Sequence, residues 1–160
     1  MNSYVISLLS AFVGTMGFSI FFNMKKERLL YAAVSGTAIC GAYLLCMEWL
    51  EGDLFLSNLI PSVLATIYAE ISARIKKAPS IIFLLPSIIV LIPGGSFYYT
   101  MSHLVNGDRE QFREVGMQTI QSALGIAVGI LIATAFFYQA AHIIQMIKQK
   151  RDKQKRLKSI

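Results

Sequence analysis

Charge is what this 160-residue chain has least of. Asp, Glu, Lys and Arg make up 15% of it, and none falls in the thirty residues between Lys77 and Asp108. An ordinary soluble domain carries about 25% charged residues, so the composition excludes that class. The two cysteines, Cys40 and Cys46, stand six apart in an apolar stretch. That spacing excludes a disulfide framework and matches no metal or redox motif, which leaves them as small packing residues. Histidine is equally scarce, with His103 and a distant His142. No nucleophile and base pair, ligand cluster or phosphate loop accompanies them, which argues against an enzyme and predicts neither a metal nor a cofactor.

What the chain has instead is apolar length. Apolar side chains make up 55% of it and its mean hydropathy is +0.57, values of an integral membrane protein. Charged residues gather in clusters that leave five spans, about Ser3 to Phe22, Leu29 to Met47, Leu54 to Ala73, Pro79 to Val105 and Val115 to Ile147. Each is long enough to cross ~30 Å of hydrocarbon as a helix of about 20 residues, the last only in part embedded. The expected fold is all-α: a five-helix membrane domain over residues 1–147 and a basic cytoplasmic tail over 148–160. Span one has no cation before it and no small-residue cleavage pattern, so it reads as a retained helix rather than a signal peptide.

The cations fall on one side. Lys25, Lys26 and Arg28, then Arg74, Lys76 and Lys77, then seven more from Lys148 to Lys158 make thirteen, against Arg109 and Arg113 in the other connections. The positive-inside rule then puts the N-terminus outside and the C-terminus in the cytoplasm of a multi-pass protein of the bacterial inner membrane. Orientation accounts for the net charge of +6, so no nucleic-acid partner is expected. The basic run also suits contact with anionic membrane lipid. Five helices with opposite-facing ends suggest half of a transporter built from two inverted halves, completed by a second five-helix subunit or by a homo-oligomer.

Pro93-Gly94-Gly95-Ser96 breaks span four. Proline lacks an N–H and clashes with the preceding turn, and an unpaired backbone group in hydrocarbon costs several kcal/mol. Such a break is a simple kink packed by neighbours, or it lines a site. In the second reading the half-helix beginning near Ser96 offers N–H groups and a positive dipole end to an anion. Tyr98 and Tyr99 follow directly and supply hydroxyls, or anchor the interface.

Other polar residues have two readings each. Glu70 is the one formal charge well inside a span and is a proton-site candidate, but Arg74 one turn on makes a favourable ion pair with it. His103, two turns past the break, has the titration range for proton coupling, or is simply hydrogen-bonded. Asn23 closes span one as a helix cap. Gln118 and Gln121 are expected to bond across helices, and Gly125, Gly129 and Ala133 form a small-residue stripe for close packing. Similar stripes run through Ala32, Gly36 and Cys40, and through Ala33, Thr37 and Gly41; whether any of them faces this chain or a partner is open.

Gly17-Phe18, Phe22-Asn23, Ala73-Arg74, Lys77-Ala78-Pro79, Phe83, Pro93-Gly94, Ser96 and Tyr98, spread over most of residues 10–135, form a pattern that resembles the threonine/serine exporter family. The likeness is to its C-terminal membrane half, and the length resembles the small stand-alone subunit of its split members. The resemblance implies a ten-helix exporter made of two five-helix halves. It also implies proton-driven efflux of small amino or carboxylic acids, threonine and serine in fused members and dicarboxylates such as succinate in split ones. A reading from another class is an accessory or scaffold membrane protein that transports nothing.

Overall fold

A computed structural model of the chain describes residues 2–157, apart from the side chains of residues 2, 142–145 and 147–157. Its elements are α1 (Asn2–Phe21), α2 (Lys26–Trp49), α3 (Leu54–Lys76), α4 (Ile81–Ile88), a 3-10 turn (Ile89–Leu91), α5 (Gly94–Val105) and α6 (Arg109–Leu157). Among the described residues there is no strand, as expected where each segment must pair its own backbone groups. Four helices are long and apolar enough to cross a membrane, and the bent pair α4 and α5 makes five if it is one span.

Two boundaries depart from the sequence reading. Span four is already irregular at Ile89, before the Pro-Gly-Gly segment. Span five starts at Arg109 because Asp108 caps it, its carboxylate accepting from the Gln111 N–H at 3.2 Å. The backbone of α6 stays helical to Leu157. His142 and the cations from Lys148 to Lys158 lie outside the residues whose side chains are described.

Four helix ends share one solution. After α1 the Met24 N–H reaches the Ser19 carbonyl at 3.1 Å and the Asn23 N–H reaches Ile20 at 2.9 Å. This is a Schellman closure with Asn23 at φ 53°, so Asn23 is the cap that the sequence suggested. Gly52 bonds back to Met47, Ala78 to Ala73 and Asp108 to His103 in the same six-to-one pattern. The left-handed residues there are Glu51, Lys77 and Gly107, with φ of 52°, 49° and 75°. Only the last is glycine, so three side chains accept the strain to keep terminal carbonyls paired.

Helix α2 packs on α1, α3 and α4, and α3 packs on α6. One apolar cluster joins Met24, Ala32, Ala69, Ala73 and Phe83, which brings the ends of α1 and α3 to the starts of α2 and α4. The Lys25 to Arg28 and Arg74 to Lys77 groups therefore share one end of the bundle. A second cluster of Ile39, Ala65, Leu91 and Ile126 lies deeper and ties the 3-10 turn to α2, α3 and α6.

The stripe on α6 faces this chain's own α3. A methyl group on Gly125 would strike the Phe55 carbonyl, and one on Gly129 would strike the Ser62 hydroxyl and lie 2.6 Å from the Leu59 carbonyl. Ala133 is buried on the same stripe. In α2, Gly36 admits the Thr15 side chain of α1, and Gly41 faces Leu8 of α1. Gln118 and Gln121 do not form the expected cross-helix bonds. Both are exposed, and the adjacent Thr119 and Ser122 are the buried polar residues of that turn. A 100° step per residue turns neighbours to different faces, and the shorter side chains fit the seam.

Adding one methyl group tests the seam. Gly129→Ala should destabilise the protein in detergent by about 2 kcal/mol, because backbone cannot yield to the new carbon. Gly17→Ala, in open space, should leave the thermal midpoint unchanged or raise it. At the first helix end, Asn23→Ala should lower stability by about 1 kcal/mol while Asn23→Gly holds it.

Candidate functional site

The break is a sequence of local compromises. Ile92 precedes a proline and is pushed out of the helical region, to φ −61° and ψ 122°. Its N–H pairs with the Ile89 carbonyl at 3.3 Å, which tightens the preceding turn to 3-10. Pro93 takes φ −76° and ψ 57°, an inverse γ-turn in which the Gly94 N–H donates to the Ile92 carbonyl at 2.7 Å. The Phe97 N–H then bonds the Pro93 carbonyl at 2.9 Å, and α5 proceeds. The two helical arms meet at a bend of 55°.

Two donors are left over. Among the described residues the N–H groups of Gly95 and Ser96 have no acceptor within the protein. They stand at the positive end of a 12-residue helix. Around Gly94 and Gly95 the space where a Cβ would project is empty, so this end of α5 opens away from the bundle. Tyr98 and Tyr99 are exposed one turn on, their rings edge to face with centroids 5.5 Å apart. Ser96 is half-buried, and its carbonyl accepts from the Thr100 hydroxyl at 2.7 Å.

Helix α5 is held chiefly by α6. The Thr100 and Thr119 hydroxyls lie 3.2 Å apart across that interface, and Gly116 faces the Thr100 methyl group. The hairpin therefore rests on a hydrogen-bonded pair beside a glycine.

The proton-site candidates lie elsewhere, and no hydrogen bond or ion pair joins them to the break among the described residues. The Glu70 carboxylate is 3.5 Å from Arg74, as the i, i+4 spacing suggested, and the Arg74 guanidinium sits 4.9 Å above the Phe137 ring of α6. His103 Nδ1 lies 3.7 Å from the Asp108 carboxylate, in the turn that joins α5 to α6.

The sequence reading passed over a set of buried hydroxyls. Ser35 of α2 and Ser87 of α4 meet at 2.7 Å, each also within reach of a carbonyl of its own helix, so one hydroxyl donates across the interface while the other donates to its own carbonyl. Thr15, Ser57 and Asn58 bury a polar oxygen with no partner, although the Asn58 amide donates to Leu54. Their signal is a stripe along α3, in which Asn58, Ser62, Ala65, Ala69 and Ala73 recur at helical spacing and are all buried. Short polar and small residues on one helical face point to a packed seam.

Residues 7–136 match the family described as Threonine/Serine exporter, ThrE. The chain belongs to the threonine/serine exporter family. Among curated proteins and among solved structures nothing matches it. The matched stretch includes α1 from residue 7, all of α2 to α5, the break and the α3 seam of α6. This is a multi-pass membrane protein and a transport subunit of the exporter type, and its broken helix lies inside the part that defines the family.

In this exporter subunit the hydroxyl pair on the α5 hairpin should be measurable. Thr100→Val and Thr119→Val should each lower stability in nanodiscs, and the double variant should lose less than their sum. A coupling of about 0.6 kcal/mol is expected for such a pair in a membrane protein; strict additivity would mean that the two hydroxyls do not interact.

Proposed function

We propose that this chain is one half of a proton-coupled exporter of small amino or carboxylic acids, and that the start of α5 binds the substrate carboxylate. The observation that carries the reading is the pair of unpaired N–H groups at Gly95 and Ser96, beside two glycines with open space at their Cβ positions, at the break of a helix in an exporter-family chain. A carboxylate there meets two donors and the positive helix end. Tyr98 and Tyr99 supply hydroxyls to the rest of a small polar substrate.

Support for five crossings comes from length. Helix α4 with its 3-10 turn advances about 18 Å, and α5 inclined at 55° adds about 10 Å, close to the ~30 Å of hydrocarbon. A bend of 55° keeps the chain moving forward rather than turning it back. With thirteen of the fifteen cations at one end, the N-terminus lies outside and the C-terminus in the cytoplasm of a bacterial inner membrane. A second five-helix half of inverted topology, or another copy, then covers the open side of the break. His103, on the same half-helix as the site and beside Asp108, is the proposed proton-coupling group. Glu70 is the weaker candidate, because Arg74 already neutralises it.

Gly94 gives a clean test, because a side chain there meets nothing within this chain. Gly94→Leu should leave membrane insertion and thermal stability intact while efflux of threonine, serine or succinate, measured with a second five-helix chain co-expressed, falls at least tenfold. Undiminished efflux from the inserted variant would remove the break from the pathway. A reconstituted pair that moves none of these solutes yet stabilises a third membrane protein would favour a scaffold. His103→Gln should flatten the dependence of efflux on the pH gradient.

A further inference from the structure

We propose that the cleft between α2, α3 and α4 at the cation-rich end of the bundle is a binding site for one anionic phospholipid. Its phosphodiester lies between Arg28 and Lys76, and an acyl chain fills the cleft. The cleft measures about 310 Å³ and is walled by Tyr31, Tyr68, Ile71, Ser72 and Ile75, with Phe83 as its floor and Lys76 at its rim. Phe83 is 1% exposed, so the floor is a fixed part of the core rather than a mobile side chain.

The two cations are held in place. The Lys76 ammonium sits 4.5 Å from the centroid of Tyr31, and the Arg28 guanidinium 5.8 Å from that of Phe83. Arg28 also donates to the Lys76 carbonyl at 3.4 Å, which ties the start of α2 to the end of α3. Among the described residues the two salt bridges are Glu70 with Arg74 and His103 with Asp108, so neither Arg28 nor Lys76 is neutralised by a carboxylate. Glu70 pairs with Arg74, which stacks on Phe137 of α6, away from the cleft.

The walls decide what kind of anion fits. The Tyr68 hydroxyl is committed to the Tyr31 carbonyl at 2.9 Å, so it offers the cleft no free donor. A small amino or dicarboxylic acid could place one carboxylate at the rim, but its second polar end would lie among Ile71 and Ile75 with little beyond the Ser72 hydroxyl to pair it. A charged group so poorly paired is unfavourable there. An amphiphile with a negative head and a long apolar tail leaves nothing unpaired. The level is right as well, because Lys25, Lys26 and Lys77 lie in the adjacent connections and mark a headgroup boundary. The lipid would brace α2 against α3 beside the cluster that contains Phe83.

The test uses the full chain in detergent micelles, read by native mass spectrometry and thermal unfolding. Phosphatidylglycerol should remain bound and raise the unfolding midpoint, while phosphatidylcholine with the same acyl chains and soluble glycerol phosphate should not. Arg28→Gln with Lys76→Gln should weaken retention of phosphatidylglycerol about 25-fold, fivefold for each cation removed near the membrane surface. Arg109→Gln with Arg113→Gln removes the same charge at the opposite end of the bundle and should leave retention within about twofold, as expected for cations more than a Debye length from the headgroup. Ser72→Phe, which plugs the cleft and keeps both cations, should also abolish retention and provides an answer if the double variant does not fold. Equal losses in the two charge-matched pairs, equal retention of the two lipids, or stabilisation by glycerol phosphate, threonine or succinate in place of lipid would each overturn the proposal.

Discussion

Every part of this structure depends on one constraint: in an apolar medium a backbone N–H or carbonyl left without a partner costs several kcal/mol. Helices meet it along their length, so the difficulty concentrates at their ends and at the break. At Asn23, Glu51 and Lys77 the chain accepts a left-handed conformation on residues that have a Cβ. The strain is roughly 1–2 kcal/mol per residue, less than the loss of the paired terminal carbonyls. The same pressure shapes residues 89–97, where a 3-10 turn, an inverse γ-turn and a resumed α-helix follow one another with hardly a donor unused. The two N–H groups left free at Gly95 and Ser96 are what any helix start leaves, and here they stand beside the break.

The constraint also explains how so many hydroxyls are buried in an apolar bundle. Ser19, Thr37 and Thr66 each donate to the carbonyl four residues earlier in their own helix, and Ser87, Thr100 and Thr119 lie within reach of theirs. With the hydroxyl satisfied internally, serine and threonine behave as small side chains and let helices approach. In the pairs Ser35 with Ser87 and Thr100 with Thr119, one hydroxyl donates across the helices while the other donates to a carbonyl of its own helix. Helix association in lipid lacks a hydrophobic driving force, so close packing and these few bonds carry it. Gly125 and Gly129 belong to the same logic, because they admit α3 backbone and the Ser62 hydroxyl where no methyl group fits.

Features that rest on one residue's covalent chemistry were legible in the sequence. Pro93 is followed directly by two glycines, unlike Pro61 and Pro86, which stay within helices, and Glu70 and Arg74 must share a helical face, so the break and the ion pair could be read directly. The glycine stripe on α6 was legible as a seam, but its partner was not. A stripe states that something comes close and says nothing of what, and only the packed fold assigns it to α3. The early loosening at Ile89 was missed because it comes from the bond that Ile92 makes backwards, not from the residue at 89. The polar seam was placed on Gln118 and Gln121, whereas geometry favours Thr119 and Ser122, one position away and shorter. The cleft beside Phe83 joins residues of three helices and has no local signal.

The position of the break bears on the proposal that this chain is one half of a larger assembly. Gly125 lies against Asn58 and Gly129 against Ser62, so α6 runs parallel to α3, and its first turns extend past the start of α3. Helix α5 rests mainly on that extension, which leaves the start of α5 without a wall from α1, α2 or α3. On the isolated chain a carboxylate at Gly95 and Ser96 would face lipid, where an anion is far less stable than in water or in a paired site. A site built this way becomes usable only when another helical surface excludes the lipid and admits water. For the proposed site to work, a second half would dock at the open space beside Gly94 and Gly95.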